Sequence, residues 1–158
     1  MKGRLGLPRQ ANNPVMALLE TTIEIRARPE RVWQCLTDFT QYGEWNPYLP
    51  RVDGELRVGE VLEVTVQPGR GQARVFSREV VEILPGNSFS WRGTLLWSWV
   101  FEGRHSFRVI SSGEGATRFE NVESFSGVLA YFLLPLFGRS IRGRFEAMNQ
   151  ALRRTLES

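Results

Sequence analysis

The clearest fold signal in the sequence lies between Phe101 and Ser126, which read FEGRHSFRVISSGEGATRFENVESFS. Apolar and polar residues alternate through both halves, and this period of two is typical of half-buried β-strands. The centre, residues 111–115, consists of Ser, Gly and Glu, which favour a turn. The stretch therefore predicts an antiparallel hairpin of two long strands, 98–110 and 116–126.

One face of this hairpin combines apolar side chains with three polar ones. His105 alternates in phase with Phe107, and Asn121 and Glu123 alternate in phase with Phe125. A five-residue loop places His105 opposite Glu123, whereas a register shift of two residues places it opposite Asn121. Either register gives the inward imidazole a polar partner.

These three polar side chains allow three interpretations. His105, Asn121 and Glu123 satisfy one another as a structural cluster, or they orient a ligand, or they perform acid–base chemistry. A buried carboxylate beside an imidazole can hold His105 protonated or orient it as a general base. His105 and Glu123 are therefore the candidate catalytic residues, and no catalytic residue is firmly assigned.

The rest of the central sequence repeats the same pattern of short alternating runs between turn signals. Residues 19–26 alternate as a first strand, and consecutive hairpins follow from residue 51 onward. With the first strand this makes seven strands in an antiparallel meander. The six further strands are expected at 51–56, 60–67, 73–84, 88–93, 98–110 and 116–126.

Two short helices are expected between the first strand and the meander. Pro29 stands at a favourable first helical position, and Val32, Trp33 and Leu36 follow on one face. Residues 38–50 contain two prolines and a glycine, so they hold at most one more helical turn before a loop.

A long amphipathic helix closes the chain. Ile141, Phe145, Met148, Leu152 and Leu156 recur at helical spacing, with arginines on the opposite face. Its apolar front end, residues 128–137, is interrupted by a proline and a glycine and is too short to span a bilayer. Burial against the first strand and the 39–50 loop is the simplest expectation. A pocket lid and a peripheral membrane contact are the alternatives.

Composition limits the classes of function. The chain has 158 residues and a net charge of +3, which is too small to predict nucleic-acid binding. Residues 127–158 hold a local excess of three positive charges, which suits a solvated helix face or, alternatively, an anionic surface. One histidine and one cysteine supply no metal set and no disulfide, so neither a metal nor a cofactor is expected.

The N-terminal residues carry a different signal. Residues 1–16 are rich in Gly, Pro and Asn and lack the apolar core of a secretory signal, so a disordered tail is expected before a single domain at 17–158. With a single cysteine, this composition favours a cytoplasmic location.

The order of strand, two short helices, six-strand meander and long helix resembles the START-like superfamily, also called SRPBCC, and most closely its polyketide cyclase/dehydrase-like branch. The resemblance covers about residues 18 to 156, and it implies a helix-grip α+β fold in which a seven-stranded curved sheet wraps around the C-terminal helix. The matching segments are 22–25 with 29–33, 44–47 (EWNP), 52–60, Pro85-Gly86 leading to Trp91, 125–127 and 145–149.

The resemblance implies a hydrophobic cavity between sheet and helix that different members use for lipids, quinones, hormones or polyketides. Binding of a hydrophobic small molecule is the leading hypothesis. A polyketide aromatase/cyclase using His105 and Glu123 is one alternative, and a membrane-associated lipid or quinone carrier is the other. The expected ligand-binding residues are Trp45, Trp91, His105, Phe107, Asn121, Glu123, Phe125 and Tyr131.

Overall fold

A computed structural model describes residues 14–158 of the chain. Seven strands and three helices follow the expected order, with a short 3-10 turn at Phe39–Gln41 before the second helix. The strands are β1 Val15–Ile25, β2 Arg51–Asp53, β3 Val61–Val66, β4 Arg74–Leu84, β5 Ser88–Leu95, β6 Phe101–Gly113 and β7 Ala116–Ser126. The helices are α1 Pro29–Thr37, α2 Tyr42–Trp45 and α3 Val128–Glu157.

All seven strands form one antiparallel sheet in the order β1-β7-β6-β5-β4-β3-β2. The meander gives five of the six neighbour pairs, and β1 pairs with β7 across the chain. In the β6–β7 hairpin His105 lies opposite Glu123 and Val109 lies opposite Phe119. The register expected for a five-residue loop is thereby confirmed, and so is the helix-grip architecture of a curved sheet closed by a long helix.

The last helix is continuous. Residues 128–157 form one helix that runs through Pro135, so the expected interruption at this proline is wrong. Proline has no N–H, and the carbonyl of Tyr131 therefore lacks its usual helical donor. Tyr131 is 70% exposed, so water reaches this turn and can replace the lost bond.

The start of α3 is fixed against the β5–β6 loop. The backbone N–H of Val128 donates to the Trp99 carbonyl at 3.1 Å, and that of Leu129 donates to the Val100 carbonyl at 2.9 Å. Gly127 has φ +93°, and a Cβ there would lie 2.6 Å from the Val100 carbonyl group. Only glycine suits this position, because it combines a left-handed backbone with a close approach.

The expectation that residues 128–137 are buried is wrong for most of the run. Ala130 is fully buried, but Val128, Phe132, Leu136 and Phe137 are each exposed over more than half of their surface. A helix can bury only one stripe against a sheet, and this run is apolar on every side. The side chains outside the stripe therefore face outward.

The two ends of the interior differ in how fully their side chains are buried, and we call them the closed end and the open end. At the closed end, α1 and the second half of α3 cover the sheet, and the side chains there are almost inaccessible. At the other end, the partly buried Phe101, Leu134 and Ile141 border the core. The largest fully buried side chains are Trp91, Tyr42, Phe89, Phe107, Phe119, Phe145, Ile25, Leu36, Leu49, Leu62, Met148 and Leu152.

The expected tail lies mostly outside the described residues, which begin at residue 14. Strand β1 starts at Val15, two residues before the expected domain boundary at 17. Within residues 14–158 the structure contains no helix that is long and apolar enough to cross a membrane.

Candidate functional site

A buried polar network joins the sheet to α3. The Asn121 amide donates to Asn149 Oδ1 at 3.1 Å, and the Asn149 amide donates to Thr21 Oγ1 at 3.0 Å. Thr21 Oγ1 in turn donates to the Asn121 backbone carbonyl at 3.4 Å. The remaining acceptor, Asn121 Oδ1, lies 2.5 Å from Nε2 of His105. Because Asn121 uses its amide nitrogen as a donor, the His105 proton is placed on Nε2.

The His105 ring is held between two aromatic rings. It stacks on Phe107 at 4.2 Å and on Phe145 at 4.7 Å between centroids, and it is 5% exposed. Burial lowers the pKa of His105 to about 4, although the bond to Asn121 acts in the opposite direction. His105 is therefore neutral at neutral pH, and it marks the boundary between the closed and open ends.

Glu123 lies on the same face of β7 as Asn121, two residues further along the strand. Its carboxylate has no hydrogen bond and no ion pair within residues 14–158. The side chain faces the concave side of the sheet and is partly accessible there. Burial raises the pKa of Glu123 to about 7, and the Arg78 charge reduces the shift. An inward, unpaired and accessible carboxylate indicates an internal space beside it.

Two glycines form the floor of that space. Gly93 of β5 and Gly103 of β6 are paired across the sheet. A Cβ on Gly103 would lie 2.9 Å from Glu123 Oε1, and a Cβ on Gly93 would collide with the Arg78 guanidinium. Because these two glycines lack side chains, the Arg78 guanidinium can lie against β5 at Gly93 and the Glu123 carboxylate against β6 at Gly103. Arg78 and Glu123 remain more than ion-pair distance apart, since no salt bridge joins them within the described chain.

Tyr48 adds a third polar group from the loop after α2. Asn46 fixes this loop, because its Oδ1 accepts from the backbone N–H groups of Tyr48 at 3.1 Å and Leu49 at 2.9 Å. The Tyr48 ring packs on Phe145 at 5.6 Å. Burial, followed by the charge of Glu123, raises the pKa of the Tyr48 hydroxyl well above its ordinary value. Tyr48 is therefore a neutral hydrogen-bonding group beside the carboxylate.

Arg144 covers this group from α3. Its guanidinium lies 6.0 Å from the centre of the Tyr48 ring, and one nitrogen donates to Ser140 Oγ at 2.8 Å. The Arg144 Nε is buried and has no hydrogen-bond partner within residues 14–158. A second buried donor without such a partner is Nε1 of Trp45. Glu123, Arg144 and Trp45 thus each carry a polar atom that no other group of the described chain satisfies.

The expected ligand-binding residues fall into two sets. Trp91 and Phe107 are 1% and 0% exposed and belong to the closed core, whereas Tyr131 is 70% exposed on the outer surface of α3. Phe125 faces the interior beside Phe101, at 6.0 Å between ring centres. The structure therefore places Glu123 and Phe125 at the open end and buries His105 and Asn121 against the closed core that holds Trp91 and Phe107. Trp45 lies at the border of the core, and Tyr131 lies apart from all of them.

The sequence profile of a family described as polyketide cyclase / dehydrase and lipid transport matches residues 16–157. The chain belongs to this family. No match is found among curated proteins. The fold of this family member is the helix-grip fold that its resemblance to START-like proteins implied.

Solved structures share this fold at low sequence identity. The Zhui aromatase/cyclase from a Streptomyces strain has a TM-score of 0.71 and 16% identity, covering 89% of this chain and 93% of that one. A START superfamily protein from Mycobacterium smegmatis has a TM-score of 0.67 and 19% identity, covering 89% and 97%. Norcoclaurine synthase from Thalictrum flavum has a TM-score of 0.67 and 12% identity, covering 94% and 98%.

Sequence reasoning missed Arg78, Tyr48 and Arg144 in this member of the polyketide cyclase/dehydrase family. Strand alternation already contained the signal for Arg78, because it falls in phase with the buried Val80. The two strand glycines were a second signal, since glycine inside a strand often marks a close approach. Arg144 carried no such signal, because arginines occupy several faces of α3.

The geometry separates the two candidate catalytic residues. His105 and Glu123 are opposite one another in the ladder, but within residues 14–158 no hydrogen bond or ion pair joins their side chains. The imidazole is neutral and bonded to Asn121, so the carboxylate does not hold it protonated. No group of three or more metal-ligating side chains occurs in the described chain. Proton chemistry at this site would therefore depend on Glu123.

Proposed function

We propose that this protein binds a largely apolar small molecule between the concave face of the sheet and the first half of α3. The observation that carries the proposal is the Glu123 carboxylate, which faces the interior, has no partner among the described residues and remains accessible. Folding leaves such a group unpaired only at a cost, and functional sites are where that cost is tolerated.

The bound molecule needs an apolar body and one polar end. Phe101, Phe125, Leu134 and Ile141 supply apolar surface around the open end. Glu123 lies at the inner side of this surface. Arg78 and Tyr48 lie near it, since the charge of Glu123, after the larger effect of burial, acts to raise the pKa of both groups. A molecule with hydrogen-bonding oxygen at one end matches this distribution. Membership of a polyketide cyclase/dehydrase and lipid transport family supports the same class of ligand.

The test adds a methyl group to the floor. In Gly103→Ala the new Cβ meets the flexible end of the Glu123 side chain, so the fold can adjust while the carboxylate is pushed into the space. We expect Gly103→Ala to reduce the affinity for Nile red, an apolar fluorescent probe, by about tenfold, because it removes both volume and a polar anchor. Gly143→Ala is the matched control, since Gly143 is exposed on α3 and its Cβ meets no atom within 4 Å.

Equal affinities of the two glycine variants would refute binding at this floor. A second experiment identifies the ligand. Native mass spectrometry of the protein purified from its own host, followed by denaturing extraction, detects any molecule that the protein carries. A co-purified lipid, quinone or polyketide that is lost in Gly103→Ala would name the ligand class.

Catalysis of the aromatase/cyclase type is the second candidate function, and the pKa of Glu123 favours it. A carboxyl group with a pKa of about 7 accepts and releases protons at neutral pH, whereas His105 is already committed to Asn121. With a poly-β-ketone chain as substrate, Glu123→Gln should abolish turnover while affinity stays within a few-fold. Parallel losses of turnover and affinity would assign Glu123 to binding alone.

A further inference from the structure

A continuous apolar surface surrounds the start of α3. It comprises the β5–β6 loop and the outer side of the first three turns of the helix, and we call it the apolar rim. Each of its side chains is at least 50% exposed. Its members are Leu95, Leu96, Trp97, Trp99, Val128, Tyr131, Phe132, Leu136 and Phe137.

The two parts of the rim are held side by side. The hydrogen bonds from the N–H groups of Val128 and Leu129 to the carbonyls of Trp99 and Val100 fasten the helix to the loop. Within the loop, the Trp97 and Trp99 rings stack at 6.0 Å with an interplanar angle of 7°. The rim is therefore an ordered surface of neighbouring side chains, larger than the single exposed apolar residues that are normal in proteins.

The loop adopts a conformation that presents this surface outward. Leu96 has φ +62° and is 73% exposed. A leucine rarely adopts this left-handed backbone, and a glycine or asparagine would adopt it more easily. A branched apolar side chain at a strained and exposed position indicates that the side chain itself has a use outside the fold.

Arginines border the rim on its helix side. On the loop side, Leu96 and Trp97 line a surface pocket shared with Glu79, Glu82 and Glu102, and the first two of these carboxylates are paired with Arg92 and Arg104. Residues 93–101 and 127–145 contain no acidic residue, and they contain Arg139, Arg142 and Arg144. Arg139 and Arg142 are exposed on α3 beyond Phe137. The rim is thus an apolar and aromatic surface with a cationic border on its helix side, which is complementary to an anionic interface.

We propose that the apolar rim docks on the surface of an anionic lipid bilayer. Tryptophan and tyrosine favour the boundary between lipid headgroups and acyl chains, and leucine and phenylalanine enter it further. Arg139 then faces the phosphate groups of the anionic lipids, whereas Arg142 donates to the Glu20 carbonyl at 3.0 Å. A second copy of this chain is a poorer occupant, because a two-fold contact would bring the arginines on the helix side of both copies into the same interface.

This docking does not depend on the proposed ligand. The rim side chains lie outside the Gly93–Gly103 floor, and none of them contacts Glu123 through a hydrogen bond or ion pair. The rim nevertheless lies at the same end of the molecule as Phe101 and Leu134, which border the open end. A molecule leaving the bilayer at the docked surface would therefore meet the open end first.

The experiment is sedimentation with vesicles made of phosphatidylcholine alone or of equal parts phosphatidylcholine and phosphatidylglycerol. We expect binding to the anionic vesicles, weaker binding to the neutral ones and a decrease with added salt. The double variant Trp97→Ser with Trp99→Ser should bind at least about tenfold more weakly. The variant Leu84→Ser is the control, because this side chain is 52% exposed and lies at the opposite end of the sheet, where Leu84 pairs with Ser88.

Charge is tested separately. Arg139→Gln should weaken binding to the anionic vesicles about fivefold, whereas Arg154→Gln near the other end of α3 should leave it unchanged. Thermal unfolding confirms that each variant keeps its fold. Equal binding to both kinds of vesicle, or equal binding by the tryptophan double variant and Leu84→Ser, would overturn the proposal. So would a dimer in solution that the Trp97 and Trp99 changes dissociate, since the rim would then be an interface between copies.

Discussion

Replacement of Glu123 by glutamine should make the protein more stable above pH 7. In the wild type the carboxyl group is buried without a partner among the described residues, and its pKa is about 7 in place of the ordinary 4.5. The folded state therefore holds this proton more tightly than the unfolded state does. Stability from the protonated group is fully present below pH 4.5 and is lost as the pH rises through 7.

The size of the effect follows from the two pKa values. A difference of about 2.5 pKa units corresponds to about 3.4 kcal/mol at full ionisation. Between pH 5 and pH 8, two-state linkage gives a loss of about 2.5 kcal/mol. Because the side chain is partly accessible, water relieves some of this cost, and a gain of about 1 to 3 kcal/mol is expected for Glu123→Gln at pH 8.

The assay is urea unfolding of the wild type and the variant at several pH values between 5 and 8.5. In the unfolded state His105 also titrates in this range, but it contributes equally to both proteins and cancels in the difference. Glu114→Gln is the matched control, because Glu114 is exposed in the β6–β7 turn. A variant that is less stable than the wild type at pH 8, or a difference that does not change with pH, would refute the description of Glu123 as an unpaired buried carboxylate.

The remaining predictions concern the network and the helix start. The lowered pKa of His105 makes the folded state lose stability as the pH falls from 6.5 toward 4, and His105→Gln should reduce this loss. Urea unfolding at pH 5 and pH 7 measures the loss, and an equal loss in the wild type and the variant would contradict the prediction. Asn149→Ala should cost about 2 to 3 kcal/mol by leaving the Asn121 amide and Thr21 without their partner, and a cost below about 0.5 kcal/mol would contradict the network. Gly127→Ala should lower the melting temperature and raise amide exchange at Val128, and unchanged exchange would contradict the close approach to the β5–β6 loop.

Much of the fold could be predicted because alternation constrains the sheet strongly. A shift of one residue would turn every side chain of a strand to the other face, so the pattern around His105 and Phe107 fixed which side chains face inward. The turn signal at residues 111–115 predicted the observed register but left a shift of two residues open. Helix continuity could not be predicted in the same way, because the cost of Pro135 depends on whether its turn is exposed, and exposure is a property of the assembled molecule.

The candidate site was harder to predict than the fold. Alternation placed Glu123 and Asn121 on one face but could not tell which of them His105 contacts, since paired backbones do not determine the direction of a side chain. The imidazole reaches diagonally to Asn121 although Glu123 is its ladder partner. The contributions of Tyr48 and Arg144 depend on how a loop and a helix pack over the sheet, and no short sequence pattern encodes that packing.

The distribution of satisfied and unsatisfied polar groups divides the interior into structure and site. At the closed end, hydrogen bonds among His105, Asn121, Asn149 and Thr21 connect β1, β6, β7 and α3, so changes there act first on stability. At the open end, the Glu123 carboxylate has no partner within residues 14–158, so changes there act first on whatever occupies the space. The lone histidine is the more conspicuous residue in the sequence. Because its ring is neutral, buried and already bonded, the carboxylate opposite it is the better place to distinguish binding from catalysis.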